Sequence, residues 1–258
     1  MNKTYQKTGR NPNYTINELD LLAMLKSCGA YYKCPEDEDG NYLGPLVGYA
    51  GEYESEGGER KKYVGAEYFN FSQADQWPEV LEVFASILSE QLEEYLDPET
   101  VILGAPMAGI KFSMEIARIN NCRHIFAEKT PARVTAFTGV PGTSLSLSRY
   151  QLFRGDRVVI CEELVNNCST TKELIHIVEE ADAEVVAILC AINRSYPFMD
   201  NFNGIPIMSA LERPTVQYRQ HDPKVARLIE EGNIIWKPKL DDWPRLQQIM
   251  RDAEAKSV

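Results

Sequence analysis

The chain has 258 residues, 44% hydrophobic and 25% charged, an ordinary globular composition with enough length to bury a full core. Its formal net charge of −11 and pI near 4.9 exclude a nonspecific hold on nucleic acid or on an anionic membrane, since both need a cationic face. No apolar run approaches the roughly 18 residues of a bilayer span and the polar start has no signal-peptide core, so a cytoplasmic protein is expected.

Thr15 followed by Glu18 forms a capping box before Leu19, Leu21, Leu22, Met24 and Leu25, predicting a first helix that runs to about Cys28 and stops at Gly29. Residues 34–62 are rich in Glu, Asp and Gly, with Tyr42, Leu46, Val47, Tyr49 and Tyr53 between them, which predicts a hairpin around an acidic turn. Lys61 to Phe71 returns as a strand with aromatic residues at alternate positions. Pro78 opens an amphipathic helix to about Tyr95, with Val80, Leu81, Phe84, Ile87, Leu88 and Leu92 along one side. Strand and helix then alternate: strand 101–103, helix 109–120, strand 124–127, a Gly- and Ser-rich passage at 135–148, strand 157–161, helix 169–181 and strand 185–192. A short strand at 205–208 and helices near 223–231 and 243–254 close the chain. Such βαβ units imply a mainly parallel sheet, because parallel neighbours need crossover connections.

The stretch RVVICEELVNNCSTTK, Arg157 to Lys172, concentrates the chemistry. An uninterrupted apolar run suits a central strand; Glu162 and Glu163 follow at its carboxyl end, where open α/β sheets bind ligands. Asn166 to Thr171 can turn amides and hydroxyls toward an anion at a helix N-terminus. The same pattern also fits a strand ending in solvated acids before a capped helix. The six cysteines contain no CxxC pair and the three histidines follow no ligand or triad spacing, so free thiols and no zinc site are expected.

Four segments in this order resemble the type I phosphoribosyltransferases, most nearly their orotate phosphoribosyltransferase branch. VILGAPMAGIKFSMEIARINNCRHIFAEK is similar to that branch's pyrophosphate loop, helix and next strand. SRYQLFRGDRVVICEELVNNCSTTKELIHIVEEADAEVVAILCAINRS is similar to its signature strand, phosphate loop, helix and closing strand, and KYVGAEYFNF to its hood. The resemblance implies an α/β fold of the type I phosphoribosyltransferase kind, a central mainly parallel sheet flanked by helices, with an N-terminal helix and hood over 1–76, a core over 77–210 and a C-terminal helical extension over 211–258. It also implies a transferase (glycosyltransferase) moving 5-phosphoribosyl from phosphoribosyl pyrophosphate to a nitrogenous base, orotate or another pyrimidine, in pyrimidine nucleotide biosynthesis or nucleotide salvage. Magnesium as cofactor and a homodimer follow from the resemblance alone, and neither nucleic acid nor membrane is an expected partner.

By the same resemblance, Glu162 and Glu163 hold the ribose hydroxyls and contact Mg²⁺ mainly through the ligand, and Lys129 reaches the pyrophosphate, with Arg133 assisting. Asn166, Asn167, Cys168, Ser169, Thr170 and Thr171 wrap the 5-phosphate; Ala105, Pro106, Met107, Ala108 and Gly109 offer amides to the diphosphate. Arg194, Lys62 and Phe69 face the base, and Thr130 to Ser148, with Gly139 and Gly142, corresponds to the mobile catalytic loop. Three departures stand out. Asn167 and Cys168 replace the usual Thr and Gly, Glu163 replaces Asp, and Ala108 stands where orotate enzymes commonly carry Lys, which implies slower chemistry, a different base, or a shift of work to Lys111, Arg118 or Lys129. Cys168 must then take an unusual conformation or reshape the loop. The competing expectation is a ligand-binding or regulatory protein of the same fold without turnover.

Overall fold

The computed structural model describes residues 4–6, 15–131, 143–238 and 241–256. They form two units: Met1–Leu21 with Ala74–Arg213, and Leu22–Gln73 with Pro214–Val258.

The first unit is built on a six-stranded sheet. Its order across the sheet is Asn201–Phe202, Ile205–Glu212, Glu184–Asn193, Arg157–Val165, Val101–Gly104 and Arg123–Phe126, parallel throughout except for the short first strand. Val101, Leu103, Val158, Ile160, Ile188 and Cys190 pack with Leu174, Ile175 and Val178 of helix Ser169–Glu180 on one face. Because side chains alternate across a strand, Ile102, Val159, Cys161 and Leu189 turn to the other face. There helices Pro78–Leu92 and Ala108–Asn120 contact each other and the sheet. Pro78 suits the first helical turn, where a missing N–H costs nothing, and Phe84, Leu88 and Leu92 form the buried stripe.

Topology fixes where a ligand can sit. From Val101–Gly104 the chain steps outward to Arg123–Phe126, then returns to lay Arg157–Val165 on the opposite side of the first strand. Successive crossovers therefore diverge between Val101–Gly104 and Arg157–Val165, leaving a crevice at their carboxyl ends. Glu162 and Glu163 lie inside the Arg157–Val165 strand, which runs four residues past the expected end at 161 because its backbone stays paired with the neighbouring strand as far as Val165. The first helix spans Glu18–Ser27, but its cap is Asn17, whose Oδ1 accepts the N–H groups of Leu19 and Asp20 while Asp20 accepts that of Asn17. Asn17 outcompetes Thr15 because it stands directly at the helix start with an acid three residues on.

In the second unit the strand expected over 61–71 is divided into Arg60–Gly65 and Glu67–Phe69, which pair with different partners. The C-terminal extension supplies strand Ile234–Trp236, parallel to Leu46–Gly48, and helix Asp242–Lys256. Gly48 is required, since a Cβ there would lie 2.2 Å from the Trp236 ring. Trp243 and Gln247 donate to the carbonyls of Gly29 and Tyr31 at 2.8 and 2.6 Å, fastening the helix to the hood segment.

Candidate active site

The turn after Val101–Gly104 is pressed onto the central strand. Ala105 N–H donates to the Cys161 carbonyl at 2.9 Å, and a Cβ at Gly109 would come within 2.9 Å of the same oxygen and 3.5 Å of Glu162 Cα. Only glycine lets the first turn of helix Ala108–Asn120 lie this close. Pro106 is buried, Met107 is exposed and Ala108 half-buried, so the open face of the turn is mainly backbone at the positive end of a 13-residue helix.

Glu162 and Glu163 form one electrostatic unit. Burial pushes the Glu162 carboxyl well above the usual carboxylate range, and the neighbouring Glu163 charge and hydrogen bond push it further; Lys129 opposes. Burial also raises Glu163, but less, because its own N–H, the Glu162 side chain, the Lys129 charge and the Gly109 N–H favour its ionised form. Glu163 Oε2 is sealed from solvent without a hydrogen-bond partner among the described residues. A buried acceptor so oriented fits a sugar hydroxyl or a hard cation. No group of three or more His, Cys, Asp or Glu side chains among the described residues could hold a metal alone, so Mg²⁺ would fit here only with oxygens of a ligand completing its shell.

The loop after strand Arg157–Val165 answers the question raised by Cys168. This residue takes φ 55° and ψ 26°, the left-handed conformation glycine ordinarily supplies, and immediately precedes helix Ser169–Glu180. Its side chain is buried with Val165, Leu174 and Ile175, so the Cβ points into the core and away from the open face of the loop. Burial raises its thiol to about 11, against a Thr171 hydrogen bond that lowers it. Asn167 and Ser169 are exposed and Asn166 and Thr170 half-buried, while Thr171 is buried. Asn167 Oδ1 accepts the Ser169 N–H at 3.3 Å, occupying one amide that an anion would take.

The cations sort clearly. Lys129, exposed on strand Glu128–Pro131 opposite Leu145, is the one whose charge acts on both carboxyls. Lys111 instead pairs with buried Asp75 at 3.0 Å, and Arg118 with Glu115 through two nitrogens at 2.9 and 2.6 Å. Neither helix cation stands in for the lysine missing at 108. Arg133, Gly139 and Gly142 lie outside the described residues. Arg194 is 3% exposed rather than a surface residue, and its N–H donates to the Val165 carbonyl at 2.9 Å.

Lys62 and Phe69 belong to the second unit. The Lys62 carbonyl accepts Gln220 Nε2 at 3.0 Å, and the buried Phe69 ring packs 5.0 Å from Tyr31. Sequence reasoning singled out Arg194 at the start of the Asn193 to Met199 loop but not Tyr196 or Phe198 farther along it, and it missed Asp75, which carries no motif.

Residues 70–200, just over half of the chain, match the sequence profile of the phosphoribosyl transferase domain. The orotate phosphoribosyltransferase of Caldicellulosiruptor bescii is 28% identical over 174 residues, 67% of this chain and 82% of that one. That of Thermotoga maritima is 28% identical over 171 residues, 66% and 82% respectively. Among solved structures, adenine phosphoribosyl transferase from Trypanosoma brucei in complex with AMP, pyrophosphate and ribose-5-phosphate superimposes with a TM-score of 0.50 at 15% identity, over 79% of this chain and 84% of that one. At that identity the likeness speaks to the fold.

Proposed function

Since the chain belongs to the phosphoribosyl transferase family, we propose that it transfers 5-phosphoribosyl from phosphoribosyl pyrophosphate to a nitrogenous base, orotate first among the candidates, with release of pyrophosphate. The observation that carries this reading is the adjacent Glu162–Glu163 pair, Glu162 buried and Glu163 half-buried with one sealed, orphaned oxygen, against the Gly109 turn at the sheet's carboxyl edge. Orotate ranks first because relatives at 28% identity are orotate phosphoribosyltransferases.

The residues divide the work by charge. Glu162 and Glu163 take the ribose hydroxyls, and the negative charge the pair retains favours the oxocarbenium character that develops at C1 as the leaving group departs. The turn Ala105 to Gly109 offers amides to the diphosphate, and Lys129 meets the negative charge released with it. Glu163 and Glu162, with oxygens of the ligand, would hold Mg²⁺, which would supply positive charge to the diphosphate. Asn166 to Thr171 fix the 5-phosphate at the start of helix Ser169–Glu180. The incoming base attacks C1 directly, so no protein nucleophile is required.

One observation favours a second reading, ligand binding without turnover: Ala108 leaves the diphosphate turn without its own side-chain cation, and Lys111 is held by Asp75. A single assay separates them. The protein is incubated with Mg²⁺, phosphoribosyl pyrophosphate and a panel of purine and pyrimidine bases, and pyrophosphate is measured. Release with orotate, lost in the Glu162→Gln, Glu163→Gln double variant, is the expected result. Binding of phosphoribosyl pyrophosphate without release for any base establishes the second reading.

A further inference from the structure

The loop that follows strand Glu184–Asn193 starts from buried Asn193, Arg194 and Ser195 and then carries two exposed aromatics, Tyr196 and Phe198, with exposed Pro197 between them. Asn193, Arg194 and Ser195 are 0%, 3% and 0% exposed, whereas Tyr196 and Phe198 are 54% and 42% exposed. The loop is closed by its own polar groups. Ser195 N–H and Oγ donate to Asn193 Oδ1 at 3.2 and 2.7 Å, Met199 N–H donates to Ser195 Oγ at 2.9 Å, and Asn193 Nδ2 donates to the Met199 carbonyl at 2.8 Å. A loop fixed in this way presents its aromatics at little further entropic cost to a ligand.

Its place in the sheet names the ligand. Asn193 pairs with Val165, and the Arg194 N–H donates to the Val165 carbonyl, one residue before the phosphate loop begins at Asn166. The loop thus leaves the carboxyl end of the strand next to the one that carries Glu162 and Glu163, the edge where α/β sheets bind ligands. A ribose held by that pair carries its base at C1, and a flat ring is the ligand part that covers aromatic surface well. We propose that Tyr196 and Phe198 are the stacking platform for the base, and so residues that set base preference. This rests on the phosphoribosyl-transfer reading, and it commits to a planar base as occupant, not to a second copy of the chain.

The test compares ligands that differ only in the base. Binding of ribose 5-phosphate and of orotidine 5′-monophosphate, UMP and AMP is measured by calorimetry for the wild type, Tyr196→Ala, Phe198→Ala and Phe198→Tyr. At least one nucleotide is expected to bind more tightly than ribose 5-phosphate. Each alanine variant should shrink that ratio about tenfold while leaving ribose 5-phosphate affinity and melting temperature unchanged, and Phe198→Tyr should keep it. An unchanged ratio in both alanine variants, with ribose 5-phosphate still bound, overturns the stacking role alone. A changed oligomeric state with an unchanged ratio also overturns it and makes the pair a contact between copies. Absence of ribose 5-phosphate binding in the wild type overturns the underlying reading as well.

Discussion

Gly109→Ala tests whether the close approach of two backbones holds the acidic pair in place. The added Cβ would lie 2.9 Å from the Cys161 carbonyl oxygen, 3.4 Å from Ala105 Cβ and 3.5 Å from Glu162 Cα. Its nearest neighbour is backbone, in a strand paired on both sides, so a flexible side chain cannot swing away to make room. Overpacking of this kind costs about 1–3 kcal/mol, which for a chain of this size lowers the melting temperature by roughly 2–4 °C per kcal/mol. The larger effect falls on turnover. Relief requires the helix start to withdraw from Glu162, and a displacement of about 1 Å at a reacting site costs on the order of 100-fold. Pyrophosphate release under saturating phosphoribosyl pyrophosphate and thermal melting are measured together. Gly57→Ala is the control, since a Cβ there meets nothing nearer than Ser55 Oγ at 4.0 Å. Turnover within twofold of wild type with an unchanged melting temperature would refute the reasoning.

Glu162→Gln should trade function for stability. A carboxyl whose folded-state pKa is raised contributes stability that is full below its unfolded value and is lost as pH rises through the folded one. The variant should therefore melt higher than wild type near neutral pH, with the gap closing toward pH of about 4.3, while turnover falls sharply; an equal loss of stability at both pH values would contradict the assignment. Lys129→Ala should cut turnover about 100-fold with little change in melting, as for loss of one transition-state charge contact. Lys111→Met should leave turnover within about threefold but destabilise the fold by about 1–3 kcal/mol, because Asp75 stays buried without its cation; reversed outcomes for the two lysines would reassign the leaving-group cation. Cys168→Gly should be more stable than Cys168→Ala by about 1 kcal/mol, since both lose the sulfur but only glycine relieves the positive φ; thermal melts of the pair decide it.

The parallel sheet was legible because Val101–Gly104, Arg157–Val165 and Glu184–Asn193 contain short apolar runs, and helices Ala108–Asn120 and Ser169–Glu180 follow the first two. Strand length was less so. Glu162 and Glu163 read as the end of a strand by polarity, yet backbone pairing carries the strand on to Val165, since pairing depends on neighbours and not on side-chain polarity. The strand Ile234–Trp236 was invisible for the same reason: three residues have no periodicity, and their partner Leu46–Gly48 is remote in sequence. At the site, Glu162, Glu163 and Lys129 were legible through their motif, and the structure supplies the coupling between them. The fates of Lys111 and Arg118 were not legible, because whether a lysine on a helix serves a ligand depends on whether a buried acid such as Asp75 lies within reach.

Within the loop Asn166 to Thr171, Cys168 takes the left-handed conformation that glycine ordinarily supplies, and its consequence depends on which side of the backbone the Cβ occupies. Glycine at such a position has two separable uses, positive φ and close approach of a ligand to bare backbone. Cys168 keeps the first, at a strain of about 1–2 kcal/mol, and does not obstruct the second because its side chain turns inward among Val165, Leu174 and Ile175. Burial of the sulfur offsets part of the strain. What changes on the outer face is Asn167, whose carbonyl oxygen satisfies the Ser169 N–H that would otherwise wait for an anion. In the proposed role a ligand phosphate would have to displace that oxygen, so the expected effect of the substitution is on affinity.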